Sequence, residues 1–401
     1  MRMFQKLITR IMLNAGYSPY FAYRTFEKIY NDLFHNKNFS LKEKLWAYRR
    51  GFLTKHYALH DLTTENYQDF LPLLKYNKLH PINGAFSHWI DDKLTIRYIL
   101  EPYKQYLPEY YYHIYRNELL KLPDCPEGFG HETPDVLRLL RDKQSLAVKL
   151  LAGSSGEGFI KLGCKHHRYS INDNDVEESK ILYVRRDGNH EHKSGHLITE
   201  FIEPCEALTR IWSNTSNSVR ILVIRNKFQE LKIAEAFIRF GTINSGVVDN
   251  ANAGGVACLV NINDGNFSGG IIGRDLFEKI EKHPDTGLLL SGSIPNWSFI
   301  KGKVIEISSA IPQVIYMGFD IIVTTDGFKI IEINSHPGIY QIKAPFLSYY
   351  VTKDFYNNLF KQKKLEFEHR KNQKLPRRLF RSIKRHISSI KERFFSKKTI
   401  L

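Results

Sequence analysis

Hydrophobic positions recur with a helical period near both ends of the chain and in short strand-like runs between them. The spacing predicts helices over roughly residues 1–35 and 41–52, the second opened by Ser40 as its N-cap. Residues 61–125 are mixed in pattern and rich in tyrosine, including Tyr103, Tyr106 and the run Tyr110-Tyr111-Tyr112. From about residue 137 β-like runs follow at 146–150, 159–162, 181–184 and 197–202, then at 219–225, 232–241 and 256–262. Helical patterns are predicted over 273–282 and 344–361. Strands with interspersed helices, without strict βαβ alternation, predict an α+β fold with at least partly antiparallel sheets. No internal repeat is visible.

Two of the apolar runs, 318–324 and 328–334, are joined by a turn and read as a buried hairpin. Its apolar residues explain the burial but not Asp320, Glu332 and Asn334. Glu332 and Asn334 are two apart, so alternation points both to one face and leaves Ile331 and Ile333 on the other. A three-residue loop, Thr325-Asp326-Gly327 with the glycine left-handed, sets Asp320 directly across from Glu332 on that face. A two-residue Asp-Gly loop sets Asp320 on the opposite face. The shared face therefore demands an odd-length or bulged turn. It would gather two carboxylates and an amide oxygen, an all-oxygen set suited to Mg²⁺ carrying substrate phosphates. Ser335-His336-Pro337-Gly338 then breaks the strand; His336 is placed either against substrate or as a cap of that turn.

The 401 residues suffice for two or three domains, and 42% apolar with 25% charged residues is an ordinary globular composition. Four cysteines (Cys125, Cys164, Cys205, Cys258), with no Cys-x-x-Cys pair, read as reduced structural thiols. No run of 18 uninterrupted apolar residues is present, so no membrane-spanning helix is expected. Residues 1–20 are basic and partly apolar, but Arg10 interrupts them and no small-residue cleavage site follows, so they are not read as a signal peptide.

The net charge of +16 changes the picture because it is concentrated. Residues 361–401 hold fifteen Lys or Arg against three acids, leaving about +4 for the rest of the chain. Leu379, Phe380, Ile383, Ile387, Ile390, Phe394 and Phe395 recur there at helical spacing, with cations on the other face. A basic amphipathic helix over residues 376–396 suits an anionic membrane surface. A solvated tail or a partner-docking helix is the alternative. Nucleic acid is not expected, because the aromatics lie on the apolar stripe and are not interleaved with the cations.

Two further segments carry chemistry. At residues 146–160 a strand ending in Lys149 runs into the small-residue loop Gly153-Ser154-Ser155-Gly156-Glu157-Gly158, and a strand resumes. Such a loop lets backbone N–H groups approach phosphate oxygens while the lysine supplies a point charge. It is not a P-loop, since no Gly-Lys-Ser/Thr follows and no helix opens. Residues 197–203 read as a strand whose exposed backbone can read an adenine edge, with a nearby glutamate for the ribose. His190, His192 and His196 sit in or beside a polar stretch read as an exposed hairpin loop, not as a metal site.

The order of these signals resembles the ATP-grasp superfamily, over roughly residues 90–345. The resemblance implies two α+β lobes clasping ATP. Lys149 matches the nucleotide-phosphate lysine, and Gly153, Ser154, Ser155, Gly156 and Gly158 match the mobile phosphate lid. Glu200, Phe201, Ile202 and Glu203 match the adenine hinge, and Asp320, Glu332 and Asn334 the Mg²⁺ ligands. Arg220, in Ser218-Val219-Arg220-Ile221, resembles the phosphate arginine, and Arg239 offers a second. The chain also resembles the sugar-transfer-associated branch of that superfamily, found in bacterial surface-polysaccharide loci. The supporting stretches are residues 45–52, Trp89-Ile90-Asp91-Asp92-Lys93-Leu94, Val248-Asp249-Asn250 with Gly254-Gly255, His283-Pro284-Asp285-Thr286-Gly287 and Ile294-Pro295-Asn296-Trp297. One departure stands out. Some peptide-forming relatives carry an arginine two residues before the first metal acid, where this chain has Gly318, so stabilisation of an acyl phosphate would fall to Arg220 or Arg239.

The expectation is thus an ATP-grasp fold with an N-terminal helical region (1–60), a preceding region (61–135), a small lobe (136–202), a large lobe with the metal site (203–345) and a C-terminal helix with basic tail (346–401). The expected activity is a Mg²⁺- and ATP-dependent carboxylate–amine ligase acting through an acyl phosphate in capsule, O-antigen or exopolysaccharide biosynthesis. A kinase on a sugar or lipid-linked glycan is the alternative, and a non-catalytic membrane-associated scaffold the second. The expected partners are a small-molecule or lipid-linked sugar, an anionic membrane surface and a glycosyltransferase complex. The expected location is cytoplasmic, at the inner face of the plasma membrane.

Overall fold

The computed structural model describes residues 2–116, 118–151, 158–181, 195–273, 277–338 and 352–369. Its first hundred residues are helical: α1 (Arg2–Asn14), α2 (Pro19–Phe34), α3 (Leu41–Arg49), α4 (Thr54–Leu59), α5 (Leu73–Leu79), α6 (Ser87–Asp91) and α7 (Lys93–Ile99). The helix expected over 1–35 is two helices. Gly16 takes a left-handed φ of +96°, and Pro19 pre-sets the first turn of α2. Ser40 caps α3 as expected, and the cap is reciprocal: Ser40 Oγ accepts from the Glu43 N–H, and a Glu43 carboxylate oxygen accepts from the Ser40 N–H.

The first sheet contains β1 (Tyr110–Tyr115), β2 (Glu118–Lys121), β3 (Ser145–Leu150), β4 (Ile160–Lys165), β5 (Arg168–Ile171), β6 (Asn174–Val176) and β7 (His196–Glu200). It is antiparallel throughout, in the order β2-β1-β7-β3-β4-β5-β6. Helix α8 (Thr133–Lys143) covers one face. Its Val136, Leu137, Leu139 and Leu140 bury against Leu146, Val148, Leu162 and Ile198. The tyrosine run belongs here: Tyr110, Tyr111 and Tyr112 are almost wholly buried in β1. Of the strand expected over 181–184, Ile181 lies in a turn and the remainder lies outside the described residues.

The second sheet is also antiparallel, in the order β13-β12-β10-β9-β8-β15-β16. Its strands are β8 (Val219–Arg225), β9 (Leu231–Phe240), β10 (Val256–Leu259), β12 (Gly270–Ile272), β13 (Glu278–Ile280), β15 (Tyr316–Thr324) and β16 (Gly327–Asn334). Strands β11 (Asn266–Ser268) and β14 (Ser291–Ser293) form a separate ribbon. β8 is buried along its whole length, as a central strand covered on both faces should be. A short helix, α9 (Glu206–Thr209), follows the first sheet, and α10 (Trp297–Ser309) packs Ile300, Val304 and Ile307 into the large core. Residues 352–369 form α11, whose Phe355 and Tyr356 pack with Tyr316 and Tyr76.

Of the helix expected over 273–282, residues 274–276 lie outside the described residues, and the described remainder is not helical. Residues 278–280 pair antiparallel with β12, so an edge-strand ladder takes a segment whose local composition favours a helix. Of the helix expected over 344–361, the described part begins at residue 352 and runs on to 369. The tail over 376–396 lies outside the described residues. Among the described residues no helix is long and apolar enough to cross a membrane.

Candidate active site

The hairpin β15–β16 delivers the expected face by the second of the two routes. Thr324 pairs with Gly327, leaving Thr325-Asp326 as a two-residue connection, so the three-residue loop is not formed. The extra residue is absorbed instead by a bulge at Ile331: Ile321 pairs with Ile330, yet Asp320 pairs with Glu332. Gly318 then sits opposite Asn334. The bulge also overturns the expected place of Ile331, which joins Glu332 and Asn334 in lining a cavity while Ile330 and Ile333 stay in the core.

That cavity, about 340 Å³, lies between the two sheets. The first sheet contributes Lys149 from β3 and Glu200 at the end of β7. The second contributes Arg220 from β8, Arg239 from β9, Asp320 and Ile322 from β15, and the three β16 residues. Phe201 and Ile202, which follow β7 outside the sheet, complete one wall. Glu203 is exposed and is not among the lining residues. Gly158 is described, at φ +70° and packed on Leu150, whereas Gly153, Ser154, Ser155 and Gly156 lie outside the described residues.

Register explains why the charges meet. Asp320 pairs with Arg220 on one side of β15 and with Glu332 on the other. Arg220 grips Asp320 through both ends of its guanidinium, with Nη2 2.6 Å from Oδ2. Arg239 Nη2 lies 3.2 Å from the same oxygen. Burial alone would raise the Asp320 carboxyl; the two guanidiniums overcome it and hold the group well below the usual carboxylate range. Arg239 is itself fixed by Ser218 Oγ, which accepts from its Nε at 3.1 Å, and by Asp249 Oδ1 at 3.5 Å. Asp249 also accepts from the Ser218 N–H at 2.5 Å.

Lys149 is half-buried, its Nζ 5.7 Å from the centre of the Tyr110 ring. Burial first, and the nearby Lys93 second, pull its ammonium down to about 7. The Glu200 carboxylate accepts from the Glu109 N–H at 3.1 Å and lies 3.8 Å from Lys329 Nζ.

Lys93 is the principal residue that sequence reasoning missed. It opens α7, is buried, and puts its Nζ 3.3 Å from Glu332 Oε2. The stretch Trp89-Ile90-Asp91-Asp92-Lys93-Leu94 thereby acquires physical content. Asp91 accepts from the Ser335 N–H and Oγ–H, each at 2.7 Å, and so ties α6 to the end of β16. Asp92 caps α7 through the Thr95 N–H at 2.7 Å. One helical turn on, buried Arg97 anchors α7 to Asp124, which also accepts from the Tyr110 N–H. The signal was a Lys four residues before an Arg, immediately after a capping Asp; nothing in that pattern names Glu332, 239 residues away, as the partner.

Asn334 Nδ2 donates to Glu332 Oε1 at 3.0 Å, which orients the amide and leaves its oxygen as an acceptor. Among the described residues no three His, Cys, Asp or Glu side chains gather into a metal cage. Carboxylate and amide oxygens on a cavity wall are what Mg²⁺ uses when it takes its other ligands from phosphates and water. Glu332 and Asn334 offer such oxygens and fit that ion, whereas Asp320 lies beside them almost wholly buried, with both its oxygens engaged by Arg220 and Arg239. The lining carries six basic side chains and four acidic ones, a surplus that suits an anionic ligand.

Two antiparallel sheets facing each other across a cationic cavity, with an acidic hairpin opposite a strand lysine, define an ATP-grasp protein. The model of the sugar-transfer associated ATP-grasp family matches residues 76–344, and the chain belongs to that family. No curated protein matches it. Among solved structures it is similar to D-alanine–D-alanine ligase from Bacillus anthracis, at 14% identity over 70% of this chain and 68% of that one, with a TM-score of 0.35. It is also similar to D-alanyl-alanine synthetase A from Vibrio cholerae, at 11% identity over 71% and 65%, TM-score 0.37. N5-carboxyaminoimidazole ribonucleotide synthetase from Thermotoga maritima is similar at 12% identity and TM-score 0.31; the match covers 62% of this chain, which spans only 42% of that synthetase.

Proposed function

We propose that the protein is an ATP-dependent carboxylate–amine ligase that activates the carboxylate of a sugar or amino acid in the assembly of a surface polysaccharide. The observation that carries this reading is the register at Ile331. It sets Glu332 opposite Asp320 inside a cavity whose far wall bears Lys149. The family's association with sugar transfer supports the substrate class.

In this reading Ile322, Ile331 and Phe201 offer apolar surface to the base, and Lys149 and Lys93 face the phosphates. Glu332 and Asn334, with Asp320 beside them, would hold Mg²⁺, which when bound supplies charge neutralisation on those phosphates. Arg220 and Arg239, fixed by Asp320, Ser218 and Asp249, need no reorganisation to meet developing negative charge. The substrate carboxylate oxygen forms a bond to the terminal phosphorus as the bridge to ADP breaks. The amine nitrogen then bonds to the carbonyl carbon, the C–O bond to phosphate breaks, and the amine's proton leaves to solvent. No nucleophilic side chain is required; catalysis is positioning and electrostatics.

Glu332→Gln keeps the shape of the side chain and removes its charge. It is expected to reduce ATP-dependent turnover at least about a hundredfold, with far-UV circular dichroism and the unfolding midpoint retained. Full turnover in this variant would remove the metal assignment. Mass analysis of the products separates an amide from a phosphoester, and a phosphoester would replace the ligase by a kinase.

A further inference from the structure

Helix α2 precedes the matched family region, yet it reaches the cavity. Phe21, Ala22, Thr25 and Phe26 bury one face of the helix. Phe21 packs edge-on to His336 at 4.7 Å between ring centres, and Thr25 Oγ1 accepts from Asn77 Nδ2 at 3.2 Å. Those contacts fix the rotation of the helix and leave its adjacent face, bearing Arg24 and Lys28, on the cavity wall next to His336 and Pro337. His336 and Pro337 follow Asn334 directly, so this part of the wall adjoins the end of β16.

Arg24 and Lys28 are four apart on one helix, a spacing at which like charges repel. Among the described residues neither is in an ion pair; Arg24 Nη1 donates only to Tyr20 OH, at 2.9 Å. Burial, then Arg24, then Lys55, brings the Lys28 ammonium down to about 8. Two uncompensated cations held side by side on an anchored helix disfavour the free protein and favour an anion between them.

We propose that Arg24 and Lys28 form a subsite for an anionic group of the acceptor substrate, a phosphoryl or a second carboxylate, separate from the phosphates of ATP. The subsite rests on the nucleotide reading of the cavity and extends it: α2 sets which acceptors enter. Its ligand lies against Arg24, Lys28 and the His336 turn, while ATP lies against Lys149, Lys93 and Glu332.

Calorimetry on the full-length protein saturated with Mg²⁺ and a non-hydrolysable ATP analogue tests this, with inorganic phosphate as the phosphoryl probe and glucuronate as the carboxylate probe. At least one probe is expected to bind the wild type, and whichever binds tells phosphoryl from carboxylate. Arg24→Gln and Lys28→Gln should each weaken that probe about tenfold, and the analogue less than twofold. Equal losses for probe and analogue would assign the pair to ATP and overturn the proposal. So would no probe binding to the wild type, or binding that the variants leave intact. If the wild type binds no analogue, the nucleotide reading fails, and the same titrations without analogue decide whether the two cations hold an anion.

Discussion

Lys149 is where a single residue's physics reaches function. Its charge is disfavoured by burial and by Lys93, so near neutral pH it is only partly protonated. An unfolded lysine titrates near 10.4, so between about pH 7 and that value the unfolded chain holds more protons, and Lys149 contributes stability that rises with pH through this window. Binding has the opposite sign. Phosphates beside Lys149 favour its charged form and raise its pKa, so nucleotide binding takes up a proton above pH 7. Affinity for the ATP analogue is therefore expected to fall with rising pH, by up to about tenfold per unit, from pH 7 to 9. Calorimetry across that range should show the fall, together with buffer-dependent heats from proton uptake. Lys149→Arg, always charged, should flatten both. A flat profile in the wild type would show that Lys149 does not meet the phosphates. Lys149, Glu332 and Asn334 were legible in the sequence because strand alternation and a glycine-rich neighbour mark them locally. Lys93 and Asp249 were not, because their meaning is a contact with chain far away in sequence.

At the scale of elements, the hairpin shows how far pattern reading carries. The sequence demanded an odd-length or bulged turn, and alternation could not choose between them; the pairing chose the bulge, which also turned Ile331 inward. The segment 273–282 went the other way, because its pairing with β12 is non-local and invisible to a helical count. Gly318 is the element-level residue whose role emerges only from the fold. A Cβ there would sit 2.4 Å from Pro337 Cβ, so the place where some peptide-forming relatives carry an arginine is closed by the turn that ends β16. Alanine would ordinarily strengthen a strand relative to glycine. Here Gly318→Ala is expected to destabilise the protein by about 1–3 kcal/mol through overpacking. Denaturant unfolding measures it, and pairing the change with Pro337→Gly, which removes the obstructing ring, should recover much of the loss. If the single variant is as stable as the wild type, the turn moves freely and does not set the hairpin's end.

At the scale of the whole molecule, two features beyond the two sheets bear on where the protein works. One is α2, whose Arg24 and Lys28 line the cavity wall beside His336. The other is charge: residues 370–401 hold twelve Lys or Arg and one acid, while the remainder of the chain is close to balanced. Each cation near an anionic bilayer contributes about 1 kcal/mol, so even four engaged residues favour the surface by about 4 kcal/mol, roughly a thousandfold in partitioning. The apolar positions spaced through the same segment add a second, salt-resistant component. Cutting after His369 spares α11, whose Phe355 and Tyr356 are built into the core with Tyr316. The shortened protein should keep its affinity for the ATP analogue yet fail to sediment with phosphatidylglycerol–phosphatidylcholine vesicles that carry down the full chain at low salt. Raising salt shortens the Debye length and should weaken the full chain's binding in a graded way, with the apolar component persisting. If the shortened protein still sediments, the membrane contact belongs to the folded part. The exposed apolar residues of α1 and α2, Leu7, Ile11 and Tyr20, would then be the surface to change next.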